Sequence, residues 1–352
     1  MENNLQISLQ GHLGVITLDR ASHLNALSLS MIHGISQQLE LWREDEQVQA
    51  ILINSNSAKA FCAGGDIRFL YDSYQNGTAN YQRYFADEYH MLKSLRQYAK
   101  PVVVFLDGYV LGGGFGLAQA CQIIVSSEKS RFAMPETAIG FFPDVGATHF
   151  LSRLDDIGVY MAVTGEQISS SDALHLDLID YLVPSEYLEQ LQTELGHAAQ
   201  LTQQSIEQTI ARYLKEPAPS ELKQYEDAIR QHFSHSELAQ IEDSLANTLD
   251  SDYMDWAEKI LANLQQRSLL AKQVSLKLQH VGRGLSLEQC MQLERYLQDI
   301  WFEQGDMIEG VRALLIDKDK QPKWQLENPE LMQRFEELLP ASRQQRQVSV
   351  QV

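Results

Sequence analysis

Between Pro101 and Ser127 the chain carries one charge, Asp107, and five glycines fall between Gly108 and Gly116. A stretch this apolar belongs in an interior, yet its glycines forbid one long helix. A membrane helix needs roughly 20 apolar residues without such breaks, and Gln119 and Gln122 interrupt the run as well. The stretch predicts a buried strand over 102–106, a glycine turn, a short helix and a second buried strand over 123–125. Strands joined by helices need crossovers, which puts the chain in the α/β class.

The flanking sequence agrees. Leu5 to Leu9 and Val15 to Leu18 flank Gly11-His12-Leu13-Gly14 and predict a hairpin. Ser28 is placed to cap a helix whose apolar positions are Met31, Ile32, Ile35 and Leu39. Residues 50–53 read as a strand, and Gly64-Gly65-Asp66 opens a helix through Ile67, Leu70 and Tyr71. A further helix covers 81–98, with Phe85, Tyr89, Leu92 and Leu95 on one face and Pro101 beyond its end. After about residue 205 only helical stripes recur, such as Ile206/Ile210/Tyr213/Leu214, Tyr253/Trp256/Ile260/Leu264 and Leu293/Leu297/Ile300. The expected organisation is a core over 1–205 and a helical region over 206–352, hinged near 215–222 at Pro217-Ala218-Pro219-Ser220. The Gln/Arg-rich tail after Pro340 reads as frayed.

Composition narrows the function. Lys and Arg number 28 against 47 Asp and Glu, a net charge of −19. That field repels nucleic acid and anionic membranes, and no basic run offsets it. Cys62, Cys121 and Cys290 are too few and scattered for a disulfide framework, and no CxxC offers a zinc site. With a first segment, Met1-Glu2-Asn3-Asn4, that carries no leader pattern, the expectation is a reduced, cytoplasmic protein.

Three segments carry chemistry. GxxxxGK[ST], HExxH and GxSxG are absent, and Gly112-Gly113-Gly114-Phe115-Gly116 does not complete GxGxxG, because Leu117 and Gln119 stand where it needs glycine. The first segment is Ala60-Phe61-Cys62-Ala63-Gly64-Gly65-Asp66-Ile67-Arg68. Glycines before a helix leave backbone N–H groups pointing outward, suited to a developing oxyanion, although a plain tight turn capped by Asp66 reads equally well. The second is Asp107 to Gly116, where close helix–strand packing alone would also explain the glycines. If the two loops face each other, each can give one N–H to a carbonyl oxygen, and one such donor is worth roughly 3–4 kcal/mol in a transition state. The third, Phe132 to Gly146, sets Glu136 and Asp144 eight residues apart among apolar and aromatic residues, where desolvation raises a carboxyl pKa. A structural alternative puts Glu136 in a helix's first turn after Pro135 and Asp144 at the N-cap of a helix running to Leu154.

In this order and at these separations the three segments resemble the enoyl-CoA hydratase/isomerase (crotonase) superfamily over residues 8–190, with Asn25-Ala26-Leu27, Thr164-Gly165 and Leu182-Val183-Pro184 adding to the match. Within it the chain is most similar to the 3-hydroxyisobutyryl-CoA hydrolases. The features are Met-Pro-Glu-Thr…Phe-Pro-Asp-Val-Gly around Glu136 and Asp144, Asp87-Glu88-Tyr89, and the run Gly310 to Asp319. The resemblance implies an α/β fold of the crotonase-like ββα spiral type, with two roughly perpendicular sheets and a helical C-terminal region. It implies an oxyanion hole from the N–H groups of Gly65 and Gly113, a catalytic Glu136, an assisting Asp144 and a substrate-site Glu88. Coenzyme A would lie along Asn25, Ala26, Leu27, Ala63 and Gly64. The implied substrate is acyl-CoA, with no further cofactor, no metal, and assembly into a homo-oligomer. The pathway implied is valine catabolism.

One departure is informative. Hydratases of this superfamily use a second glutamate two residues after the triple glycine, and that position here is Gly116. Hydration needs an acid and a base together, so thioester hydrolysis is favoured. Glu136 then attacks the carbonyl or deprotonates water, while Asp144 holds the substrate 3-hydroxyl, positions water or assists the leaving thiol. A site that binds a substrate hydroxyl rejects analogues lacking it by roughly 10⁴-fold, hence the expectation of β-hydroxyacyl thioesters. The alternatives are an enoyl-CoA hydratase or isomerase and a non-catalytic CoA-binding protein. Arg20, His23, Lys59 and Arg68 are candidates to offset the anionic coenzyme, and equally ordinary surface charges. Cys62 reads as a small buried apolar residue and His149 as a helix or core histidine. Asp177, where many relatives have glycine, is expected to affect only a turn.

Overall fold

Gly11 turns the chain between its first two strands. Its φ is +58°, and a Cβ there would lie 2.1 Å from the Gly196 carbonyl oxygen, so no side chain fits. The hairpin joins β1 (Leu5–Gln10) to β2 (Leu13–Leu18) in antiparallel register. A computed structural model describes residues 4–339. The expectations for the first three residues and for the tail from Pro340 lie outside the described residues.

Two compact units make up the chain. Among the described residues, one comprises 4–66, 83–133 and 167–224; the other comprises 67–82, 134–166 and 225–339. A single cut at 205/206 does not describe this division, because the segments 67–82 and 134–166 leave the sheet strands and group with the later helices.

The first unit holds both sheets. β2 continues into β3 (Ala50–Ser55), β5 (Val102–Leu106), β7 (Ile123–Ser126) and β10 (Tyr181–Leu182), giving the order β1-β2-β3-β5-β7-β10. All pairs beyond the hairpin are parallel. Parallel strands covered on both faces read as unbroken apolar runs, which is why 102–106 was legible as a strand. Helix Leu29–Arg43 covers the strands with Met31, Ile32, Ile35, Leu39 and Trp42, and Ser28 caps it by accepting a hydrogen bond from Met31 N at 3.2 Å. Leu13, Val15, Leu52, Val103, Phe105 and Val125 form a core with Leu191, Leu195, Ile206 and Ile210. The helix carrying Ile206 ends at Ile210, so Tyr213 and Leu214 lie beyond it. Asp177 takes φ +54°, the conformation that favours glycine at such a turn.

The second sheet has four short strands, β4 (Ala60–Cys62), β6 (Tyr109–Leu111), β8 (Arg131–Ala133) and β9 (Ile168–Ser169), in the order β4-β6-β8-β9. The first two pairings are parallel and the last antiparallel.

The second unit is helical, and no strand follows Leu182 among the described residues. Its centre is the helix Asp155–Thr164, in which the eight residues from Ile157 to Thr164 are all buried. Gly158 lets it approach the preceding turn, since a Cβ there would lie 1.9 Å from the Leu151 carbonyl oxygen. Helices Met254–Gln266, Leu269–Gly282 and Leu287–Gln304 complete the layer with buried stripes at 3.6-residue spacing. No described helix is long and apolar enough to cross a membrane.

Candidate active site

Two glycine turns converge inside the first unit. β4 runs into Ala63-Gly64-Gly65-Asp66, and β6 runs into Gly112, which precedes the short helix Gly113–Gln119. Because β4 and β6 pair in parallel, their C-terminal turns arrive side by side. A Cβ on Gly113 would lie only 3.3 Å from the Gly65 nitrogen. A Cβ on Gly114 would lie 2.4 Å from the Cys62 carbonyl oxygen, so the helix must be glycine there to pack on β4.

The hydrogen bonds of the first turn leave the Gly65 N–H outside their ladder. Leu27 N donates to Gly64 O at 2.8 Å, and Asp66 N donates to Leu27 O at 3.0 Å. In the second turn Phe115 N and Gly116 N return to Gly112 O, while Gly113, as the first helical residue, has no acceptor one turn back. Two N–H groups presented from adjacent turns are what a carbonyl oxygen gaining negative charge requires.

Helix Asn80–Arg96 lays Tyr84 and Glu88, both buried, against these turns. Tyr84 Oη donates to Leu27 O at 2.9 Å, and the Glu88 Oε1 lies 3.0 Å from where a Gly113 Cβ would be. Burial, with the Glu88 charge beside it, pushes the Tyr84 phenol well above its ordinary range, so it stays a donor. Tyr84 was not legible as a site residue; it sits in the apolar stripe of its helix.

The Asn25 side chain is fully buried and brackets the turn. Its Oδ1 accepts from Arg20 N at 2.7 Å, and its Nδ2 donates to Ser55 Oγ at 2.8 Å and Ala60 O at 3.2 Å. Ala26 O accepts from the Arg20 guanidinium at 2.9 Å, and Ala63 N donates to Leu24 O at 3.0 Å. Arg20 also pairs with Asp66 at 2.7 Å. Arg20 therefore fastens the glycine turn, and in the second unit Arg68 donates to Leu315 O at 2.7 Å. Both cations have internal acceptors.

The two carboxylates of the third segment lie in the second unit. Glu136 is buried and opens a 3-10 turn, Glu136–Ile139, directly after Pro135. That turn is held from the C-terminal helices. Trp301 Nε1 donates to Gly140 O at 2.7 Å, and a Cβ on Gly310 would lie 2.2 Å from Ile139 O. The run Gly310 to Asp319 thus packs against the Glu136 turn through its glycine, and Arg312 gathers Glu309, Asp317 and Asp319 at 2.6–2.8 Å.

Asp144 is not an N-cap. The helix Ala147–Phe150 follows Gly146, and Asp144 contributes its backbone oxygen to Ala147 N at 2.8 Å. Its side chain turns inward, where Oδ2 accepts from Gln298 Nε2 at 2.7 Å. Burial first, and then the charge of Glu294, push the Asp144 carboxyl up to about 8. Gln298 and Glu294 are functional candidates that the sequence reading passed over.

Parallel strands that bring two glycine turns side by side make this an α/β fold with two backbone N–H groups presented together. A family model described as enoyl-CoA hydratase/isomerase matches residues 13–336, and the chain belongs to that family. It is 36% identical over 326 residues to a protein of Xenopus laevis named 3-hydroxyisobutyryl-CoA hydrolase, mitochondrial, covering 91% of this chain and 84% of that one. The human protein of the same name is 34% identical over 321 residues, covering 90% and 82%. Among solved structures, a carnitinyl-CoA dehydratase from Mycobacterium thermoresistibile superposes with a TM-score of 0.87 at 28% identity, covering 96% of each chain. An enoyl-CoA hydratase from Rhodobacter sphaeroides 2.4.1 gives 0.85 at 31% identity, covering 96% of this chain and 97% of that one. The crotonase-type fold expectation stands.

The cytoplasmic expectation does not. The relatives from Xenopus laevis, Danio rerio and Homo sapiens all carry the word mitochondrial in their names. A low cysteine count marks a reducing environment and does not choose among reducing compartments.

Proposed function

We propose that this protein hydrolyses the thioester of a β-hydroxyacyl-CoA, with 3-hydroxyisobutyryl-CoA, an intermediate of valine breakdown, as the substrate. The observation that carries the reading is Asp144, a buried carboxyl beside Glu294 and Gln298, in a chain with Gly116 where a hydratase of this superfamily keeps its second glutamate. The names of the hydrolase relatives at 34–36% identity over about nine-tenths of the chain support it.

In this reading the thioester oxygen takes hydrogen bonds from Gly65 N–H and Gly113 N–H, which strengthen as negative charge develops. Glu136 supplies the attacking oxygen or takes the proton of an attacking water. Glu88 accepts from the substrate side, and Asp144 serves the hydroxyl or the departing sulfur. Asn25, Ala26, Leu27, Ala63 and Gly64 line the path of the coenzyme through their backbone.

A thiol-release assay over 3-hydroxyisobutyryl-CoA, 3-hydroxybutyryl-CoA, isobutyryl-CoA and crotonyl-CoA tests the proposal. The expected result is fast release from the two hydroxyacyl thioesters, slow release from isobutyryl-CoA and no loss of crotonyl absorbance. Rapid hydration of crotonyl-CoA would turn the assignment to the hydratases, whose solved structures share the fold. Binding without thiol release from any chain would make it a CoA-binding protein.

A further inference from the structure

Glu294 and Gln298 stand one turn apart on the helix Leu287–Gln304, and both are fully buried. They reach the Asp144 loop in two ways. Gln298 Nε2 donates to Asp144 Oδ2 at 2.7 Å. The two oxygens of Glu294 accept from Gly146 N at 2.8 Å and Thr148 N at 2.9 Å. Between these contacts Val145 is held at φ +54°, a conformation rare for a β-branched residue that persists only where the surroundings enforce it. The loop is thus clamped from one helix.

We propose that Glu294 and Gln298 are positioning residues, Glu294 keeping Asp144 as a neutral acid and Gln298 holding its carboxyl in place, so that Asp144 gives a proton to the leaving sulfur. Asp144 and Glu294 are both buried at one loop, and two interacting carboxyl groups in a buried setting cannot both ionise readily. Glu294 accepts two backbone N–H bonds from the loop, which favour its charged form, whereas at Asp144 burial and the Glu294 charge outweigh the bonds from the neutral Gln298 amide and from its own backbone N–H. The proton therefore resides on Asp144. Burial and the Glu294 charge raise its carboxyl to about 8, close to the range of an alkyl thiol, where proton transfer to a departing thiolate is well matched.

Other ionisable groups on the packed elements have their own partners. On the helix Leu269–Gly282, Lys272 pairs with Glu242, Lys277 with Glu336, and His280 lies with Arg283, Asp156 and Glu237. Arg153 donates to Ser152 Oγ, Gly282 O and Leu285 O. Asp306 accepts from Ser268, and Arg295 pairs with Asp299. Glu136 lies on the preceding turn and His149 on the following helix.

The inference rests on the hydrolase reading for its chemistry. As the C–S bond breaks, its electron pair goes to sulfur together with the Asp144 proton, and the oxygen that replaces sulfur comes from Glu136 or water. The proton that water loses on hydrolysis returns to Asp144 through solvent.

The test is a carbon-13 NMR titration of the full chain with labelled aspartate carboxyls, the Asp144 signal being the one missing from Asp144→Asn. The expected midpoint is near 8, moving down by about one pH unit or more in Glu294→Gln and up in Gln298→Leu. The pH limb of kcat/KM for thiol release is expected to move with each midpoint. A midpoint in the ordinary carboxylate range, or one that does not respond to Gln298→Leu, would overturn the proposal, and these two readings suffice should Glu294→Gln not fold. The titration needs no turnover, so a chain that releases no thiol yet shows the raised midpoint removes the hydrolase reading alone.

Discussion

Gly113 approaches Gly65 so closely that a Cβ on Gly113 would lie 3.3 Å from the Gly65 nitrogen and 3.0 Å from Glu88 Oε1. Gly113 is not among the positive-φ glycines, so alanine is admissible to its backbone and the strain falls on the turn. Gly113→Ala is expected to keep its far-UV circular dichroism and lose kcat by roughly 10²-fold, the scale of one misplaced oxyanion donor. An unchanged kcat would separate this turn from the chemistry.

Gly310 carries a similar constraint for the Glu136 turn. Gly310→Ala sets a methyl group 2.2 Å from Ile139 O. Relief requires the helix Met307–Val311 or the turn to shift. Overpacking of this kind costs about 1–3 kcal/mol. Thermal unfolding is expected several degrees lower, with kcat reduced and KM little changed.

Asp144 makes stability depend on pH. In the unfolded chain an aspartate ionises near about 4, whereas in the folded protein burial and Glu294 hold the proton up to about 8. Between those values the folded state binds more protons, so stability falls as pH rises. The contribution is complete below the lower value and gone above the upper one, on the order of a few kcal/mol in all. Urea midpoints measured across that window are expected to decline more steeply for the natural chain than for Asp144→Asn. Parallel profiles would contradict the buried neutral acid.

The three cysteines are all buried, and burial pushes each thiol up to about 12. Thiolate is the reactive form. Folded protein is expected to give no reaction with a disulfide reagent at pH 8, and three equivalents in denaturant. Rapid labelling of Cys62, next to the Gly64-Gly65 turn, would show that β4 opens.

The sequence exposed what depends on local pattern. Ser28 and the stripe Met31/Ile32/Ile35/Leu39 fall where the helix is, because capping and burial there are set within one element. The glycine turns at Gly65 and Gly113 were legible as turns before helices for the same reason, and the close approach of Gly114 to β4 shows the packing that the glycines also permit. The second sheet was not, since strands of two or three residues show no period. Asp144 read equally as an N-cap; the helix begins after Gly146 instead, and the Asp144 side chain goes to Gln298, 154 residues later. Glu294 and Gln298 flank the apolar positions Leu293 and Leu297 and look like the polar edge of a surface helix. Their burial comes from tertiary packing, which no spacing announces. The division into units also depends on long-range return of the chain, as Gly310 against Ile139 illustrates.

The account depends on a carboxylate from the Pro135-Glu136 turn acting on a thioester whose oxygen the Gly65 and Gly113 amides hold. Steady-state thiol release from 3-hydroxyisobutyryl-CoA by the natural chain and by Glu136→Gln measures this directly. The expected result is a kcat lower by roughly 10³-fold or more in the variant, with CoA binding and the unfolding temperature retained. A variant that turns over as fast as the natural chain would contradict the account.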